Sequence, residues 1–171
     1  MSCGNKEAHL ACYLILEKDG KLLLMRRFGT GWEDGSYTMI SGHLEGNETP
    51  AEGAIREARE EAGIEVHAEG MKVVHILHRY ANREYIDFFV TAVKWDGEPR
   101  VNEPNMCDDV QWFDKDKLPK ETLPYIPIIL EKISKNEFYS EYGRPQKQKT
   151  SAHPKVHQNV QQARLFCSDP L

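Results

Sequence analysis

Apolar and polar positions alternate along the chain in a way that predicts strands broken by one strong helix. HLACYLILEKDGKLLLMRR carries two Leu-rich runs flanking Lys18-Asp19-Gly20. Asp-Gly favours a two-residue hairpin turn, so two antiparallel strands are expected there. A Gly-rich aromatic loop, FGTGWEDGSY, leads into a short strand-like SYTMI. MKVVHILHRY and REYIDFFVTAVKW, dense in Val, Ile, Phe and Tyr, predict two more strands. Asp96-Gly97 turns the chain into EPRVNEPNMCDD, and VQWF resumes a strand. IPIILEKISK then spaces Ile126, Ile129, Leu130 and Ile133 along one face of a helix.

The central helix is marked at both ends. Thr49 can cap the free N–H groups, Glu52 completes a capping box, and Pro50 suits the first helical position. Gly63 is the expected terminator. At about 100° per residue, Ala51, Ala54, Ile55, Ala58 and Ala62 share one side, small enough to lie close on a sheet. Glu57, Glu60 and Glu61 gather on another face within about 100° of arc. Strands before and after this helix, with a second helix late, predict an α/β (α+β) domain with helices packed on a mixed sheet.

Composition changes the picture little: with 40% hydrophobic and 29% charged residues the chain reads as globular. No apolar run is long enough for a membrane span, and MSCGNKEAHL has no signal-peptide pattern. Cys3, Cys12, Cys107 and Cys167 are sparse and lack CxxC spacing, which points to reduced thiols and a cytoplasmic protein. Residues 1–138 are expected to form the domain and 139–171 a polar, poorly ordered tail. In that tail His153 and His157 have helical metal-ligand spacing, but Pro154 between them argues against a site.

The charge is unevenly shared. Five basic residues against two acids from Tyr139 onward give the tail +3, leaving −8 on the body from a total of −5. An acidic body makes nucleic acid an unlikely partner and repels free polyphosphate. A phosphate substrate would therefore need a metal to bring positive charge. The glutamates offer one. Their i, i+3 and i, i+4 like-charge pairs are unfavourable on a bare helix, and hard Mg²⁺ takes carboxylate oxygen with few protein ligands. A solvated face offset by Arg56 and Arg59 is the competing reading.

The flanks discriminate. Gly42, five residues, Glu48, seven residues, Arg56-Glu57, two residues, Glu60-Glu61, one residue, Gly63 and aliphatic Ile64 resemble the box of the Nudix hydrolase (MutT-like) family. Seven fixed identities at about 7% each coincide by chance on the order of once in 10⁸ positions. The resemblance covers roughly residues 8 to 138. Ala58 stands where the family usually has a larger aliphatic residue, a departure that touches packing more than chemistry.

The resemblance implies an α/β/α sandwich and Mg²⁺- or Mn²⁺-dependent hydrolysis of a nucleoside diphosphate linked to another group. It implies that Glu60, Glu61 and the Gly42 carbonyl bind metal, and that Glu57 binds metal or activates water, with the base among Glu57 and Glu60. It implies that Glu48 and Arg56 form a structural ion pair and that Gly63 serves the turn. Glu103 aligns with a distal glutamate ligand, with Glu98, Asp108 and Asp109 as competitors in the same loop. Candidates for substrate contact are Arg26 or Arg27 for phosphate, Trp32 for a base, and His43 for a phosphate oxygen.

Substrate choice reads less sharply. The region after the box, HRYANRE, lacks the proline of ADP-ribose members, and Tyr80 lies near a tyrosine of diadenosine-polyphosphate members. GHLEGNET, YIDFFVTA and EPNMCDDVQWF resemble the nucleoside-triphosphate branch, some members of which sanitise nucleotide pools. Tyr125 and Ile126 replace the acidic or amide base-reading residues of members that prefer oxidised purines. The expected reaction is hydrolysis of a nucleoside triphosphate to monophosphate and pyrophosphate. Dinucleoside polyphosphates, nucleotide-capped RNA, and a non-catalytic binding module are the alternatives, and a homodimer is a candidate assembly.

Overall fold

The computed structural model describes residues 7–144. Its elements run β1 (Ala8–Lys18), β2 (Lys21–Arg27), β3 (Tyr37–Thr38), β4 (Ile40–His43), α1 (Pro50–Ala62), β5 (Glu65–Val66), β6 (Lys72–Tyr80), β7 (Glu84–Ala92), β8 (Trp95–Asp96), β9 (Cys107–Asp114), α2 (Tyr125–Ser134) and β10 (Tyr139–Tyr142). The predicted turn is present: Asp19 and Gly20 both have positive φ, as a type I′ hairpin requires.

The hairpin pairs only at its base, Glu17 with Leu22 and Lys18 with Lys21. Beyond it the strands part. β1 takes β4 antiparallel on one side and β7 parallel on the other, while β2 pairs β3 and β9. SYTMI is accordingly divided, because Met39 carries the chain from β2's edge to β1's. β10 lies parallel to β6, so the sheet is mixed. The expected domain boundary at 138 falls short: Tyr139–Tyr142 form an edge strand of the sheet. Four residues, Tyr-Ser-Glu-Tyr, are too short to stand out from a polar tail, but they can add a strand once β6 offers a free edge. The rest of the expected tail, including His153 and His157, lies outside the described residues.

Alternation along the strands divides the core in two. Cys12, Leu14, Leu16, Leu23 and Met25 face α1 with Ala54, Ala58 and Ala62. Tyr13, Ile15, Leu22, Leu24 and Phe89 face α2 with Ile126 and Ile129. One helix thus covers each face, giving the α/β/α sandwich. The small residues of α1 bring its backbone close to the sheet, and Ala58 is fully buried. No helix among the described residues is long and apolar enough to cross a membrane.

Candidate active site

The helix is placed by its caps. Thr49 Oγ1 accepts from Glu52 N–H while the Glu52 carboxylate accepts from Thr49 N–H, and Gly63 closes α1 at φ 63° in the left-handed region. With the alanines turned to the sheet, Glu57 and Glu61 reach β4 while Glu60 stays beside Arg56, half exposed.

Gly42 is a strand residue whose value lies in space, not in φ. A Cβ there would stand 1.7 Å from Glu57 Oε1 and 2.2 Å from its carboxyl carbon. The Glu57 carboxylate fills the place a side chain would take, against the β4 backbone. Glu61 reaches the next residue, where its Oε2 accepts from Ser41 N–H at 3.0 Å.

Arg56 holds the assembly from the other side. Its Nε and Nη2 donate to Glu48 at 2.8 and 3.0 Å, its Nη1 to Glu57 and Glu60 at 2.7 and 3.0 Å, and its Nη2 to the His43 carbonyl at 3.0 Å. The expected Glu48–Arg56 pair is thus part of a wider clamp that joins the β4–α1 loop to two of the three box carboxylates.

Electrostatics show how much charge is left over. Burial first, then the charges of Glu57 and Glu103, push the Glu61 carboxyl up to about 8, against the pull of Ser41 N–H and Arg27. Glu61 is only half-buried as a residue, so it is the carboxylate end that is cut off from water. Burial also raises Glu57, against its bond to Arg56 and together with the charges of Glu60 and Glu103. A single guanidinium does not satisfy this set.

Glu103 therefore belongs with the helix glutamates, since its charge acts on both Glu57 and Glu61 from the β8–β9 loop. Its competitors are occupied elsewhere. Asp108 forms a two-point pair with Arg26 at 2.7 and 3.0 Å, Asp109 accepts from Tyr37 and Gln111, and Glu98 lies 3.9 Å from Lys18. Glu103 is fixed by its own carbonyl, which accepts from Met106 and Cys107 N–H.

The substrate-contact candidates separate in the same way. Arg26 is spent on Asp108 and is not brought to the carboxylates. Arg27 lies near enough to lower Glu61. It donates to the Trp32 carbonyl and Thr30 Oγ1, and its guanidinium stacks 4.8 Å from the Trp32 ring centre. Asp34 closes that loop through Thr30 and Gly31 N–H. Trp32 stays 45% exposed, with its ring bordering the site through Arg27. The His43 ring points away from the carboxylates, toward His9 and Tyr85. Two features went unanticipated. Cys12, its thiol pushed up to about 12 by burial, underlies the Gly42 carbonyl. Arg79 and Asp87 form a buried ion pair, whose signal was an acid at an inward position of the apolar strand YIDFFV.

Among the described residues no three His, Cys, Asp or Glu side chains already stand as a metal-ligand set. The donors nonetheless fit a hard divalent cation. They are all oxygen, crowded and under-neutralised, with a glycine whose missing Cβ makes room for a carboxylate.

A family model described as NUDIX domain matches residues 6–132. The chain is 28% identical over 93 residues to an 8-oxo-dGTP diphosphatase of Proteus vulgaris, covering 54% of this chain and 82% of that protein. It is 27% identical over 139 residues to an NAD-capped RNA hydrolase NudC of Stutzerimonas stutzeri (strain A1501). That match covers 78% of this chain but only 46% of the relative, so the chain spans less than half of NudC's length. Among solved structures, a MutT NUDIX hydrolase from Burkholderia pseudomallei superposes with TM-score 0.68 at 26% identity, covering 74% of this chain and 98% of that one. A MutT protein from Methanosarcina mazei Go1, at TM-score 0.67 and 18% identity over 76% of this chain and 95% of that one, shares the fold.

Proposed function

The chain belongs to the NUDIX domain family, and on that premise we propose that it is a divalent-metal-dependent hydrolase that cleaves a nucleoside triphosphate to the monophosphate and pyrophosphate. The observation that carries this reading is that burial leaves the charge of Glu57 and Glu61 unsatisfied on one helix while Glu103, from a separate loop, adds its charge to both. A module that only binds would gain nothing from holding carboxylates in that state.

Hydrolysis adds water across a P–O–P bridge: the water oxygen bonds to phosphorus, the bridging P–O bond breaks, and a proton must leave the water. Mg²⁺ or Mn²⁺, held by Glu57, Glu60, Glu61, the Gly42 carbonyl and Glu103, would supply positive charge for the phosphate oxygens. Glu57, whose carboxylate packs against the Gly42 backbone, shares with Glu60 the role of accepting that proton. Arg56 positions Glu57 and Glu60 through its clamp on Glu48 and the His43 carbonyl. Arg27, whose charge reaches Glu61, is the arginine we assign to phosphate, and Trp32 beside it would offer a ring face to a base.

The test is pyrophosphate release from a panel of nucleoside triphosphates as Mg²⁺ or Mn²⁺ is titrated. Turnover is expected only with metal. Glu60→Gln is expected to lose about 10²–10⁴-fold while keeping its circular dichroism spectrum and melting temperature. Near-normal turnover by folded Glu60→Gln protein would overturn the assignment.

A further inference from the structure

The described residues hold a second charged cluster, which the hydrolytic chemistry leaves unused. Asp87 on β7 is fully buried and Arg79 on β6 is 7% exposed. By strand alternation Asp87 shares the α2 face with Phe89. Arg79 Nε and Nη2 donate to Asp87 Oδ2 and Oδ1 at 2.6 and 3.2 Å. The guanidinium lies 4.2 Å from the Tyr85 ring centre and 5.3 Å from that of Tyr125. Tyr125 in turn shares a hydroxyl hydrogen bond of 3.0 Å with Tyr13. Two apolar residues of similar volume usually stabilise a core as well as such a pair, or better. Its presence here asks for a reason other than stability.

The bonds to Asp87 use Nε–H and one N–H of Nη2, leaving Nη1 and the second Nη2 proton. Nη1 makes no hydrogen bond among the described residues, and it is not sealed away: the buried side-chain atoms without a partner are Thr38 Oγ1 and Thr122 Oγ1. The outer edge of the guanidinium is a planar fork of donors unpaired among the described residues, oriented by Asp87 and set between two rings. The Tyr85 ring beside the guanidinium also neighbours His9 and His43, at 5.3 and 6.3 Å between ring centres. These two histidines also line an open groove of about 520 Å³ that runs to Glu48. His43 follows Gly42, the residue against which Glu57 packs, and its carbonyl accepts from Arg56. Adjacent residues of β4 thus neighbour the two clusters, Gly42 the Glu57 carboxylate and His43 the Tyr85 ring beside Arg79.

We infer that Arg79 is a specificity-determining residue whose free fork reads two adjacent acceptors on one edge of a substrate base, the 6-keto oxygen and N7 of a guanine-type purine, with Tyr85 as the ring beside it. This inference rests on the nucleotide-hydrolase reading above and names the base that reading leaves open. Guanidinium to O6 and N7 is the two-point match that planar geometry favours. Adenine presents an amino donor beside N7, and 8-oxoguanine carries a proton on N7. Each sets a donor against a donor, and an unmatched polar group in a desolvated cleft is costly. The fork therefore selects unoxidised 6-oxopurines against both.

Calorimetric titration of the full chain with guanosine, adenosine and 8-oxoguanosine monophosphates, without metal, tests this. The wild type is expected to bind the guanosine nucleotide at least about tenfold more tightly than the other two. Arg79→Lys keeps a cation for Asp87 but loses the fork, and Arg79→Met with Asp87→Leu replaces the pair by apolar volume. Both should bring the affinity ratios to within about threefold of one another. General structural damage would weaken all three ligands alike and leave the ratios standing. Either a wild type without the preference or a folded variant that keeps it overturns the inference. If the wild type hydrolyses nucleoside triphosphates yet lacks the preference, only the role of Arg79 falls. If it neither binds nor hydrolyses any nucleotide, the proposed function falls as well.

Discussion

Replacing Glu61 by Gln should make the metal-free protein more stable at pH 8 while removing its activity. The folded protein holds the Glu61 proton up to about 8, whereas an unfolded chain releases it near the ordinary 4.5. A raised carboxyl pKa means the folded state binds the extra proton between those values, so stability falls as pH rises from 4.5 through 8. Below 4.5 both states are protonated and the penalty is absent. The full span from 4.5 to about 8 corresponds to on the order of 5 kcal/mol at 1.36 kcal/mol per pH unit, an upper bound once local relaxation is allowed. Gln cannot ionise, and its Oε1 can still accept from Ser41 N–H, the bond Glu61 makes at 3.0 Å. Thermal unfolding in chelator should therefore show little difference between variant and wild type near pH 4.5. At pH 8 the variant should melt higher by roughly 5–15 °C for a chain of this size. Saturating Mg²⁺ should raise the wild type alone, because an ion that binds only the folded state stabilises it by mass action. A variant no more stable than wild type at pH 8, or an offset independent of pH, would refute the argument that Glu61 is a desolvated carboxylate waiting for a cation.

Two further outcomes follow from the same geometry. Gly42→Ala puts a Cβ where Glu57 Oε1 stands at 1.7 Å, so the carboxylate must swing away from Arg56; turnover should fall by about 10²-fold with a modest change in melting temperature, and full activity would show that Glu57's place is immaterial. Glu103→Gln removes a like charge from Glu57 and Glu61, so both carboxyl resonances should titrate at lower pH by NMR, and the metal concentration for half-maximal rate should rise; an effect from Asp108→Asn instead would move the distal ligand off Glu103.

The elements that local chemistry specifies were legible in the chain. The Asp19-Gly20 turn, the capping box at Thr49 and Glu52, the Gly63 stop and the alanine face of α1 each depend on neighbours within four residues. The same is true of the box spacing, since residues three and four apart on a helix share a face wherever the helix is placed. The two-helix mixed-sheet class and the family resemblance came from these alone.

Partnership between distant segments was not legible, because a strand has two hydrogen-bonding edges and its sequence does not say what meets them. That is why the β1–β2 hairpin parts after two pairs, why SYTMI divides between two neighbours, and why Tyr139–Tyr142 join the sheet. It is also why Glu98, Asp108 and Asp109 competed with Glu103 in the sequence until pairing with Lys18, Arg26 and Tyr37 took those three and left the charge of Glu103 to act on Glu57 and Glu61. Arg26 and Arg27 differ for the same reason: adjacent on one strand end, they leave it in different directions, one to Asp108 and one toward Glu61. A charge's chemistry depends on burial and on what stands within a few ångströms, and for these residues both are fixed by chain segments tens of positions away.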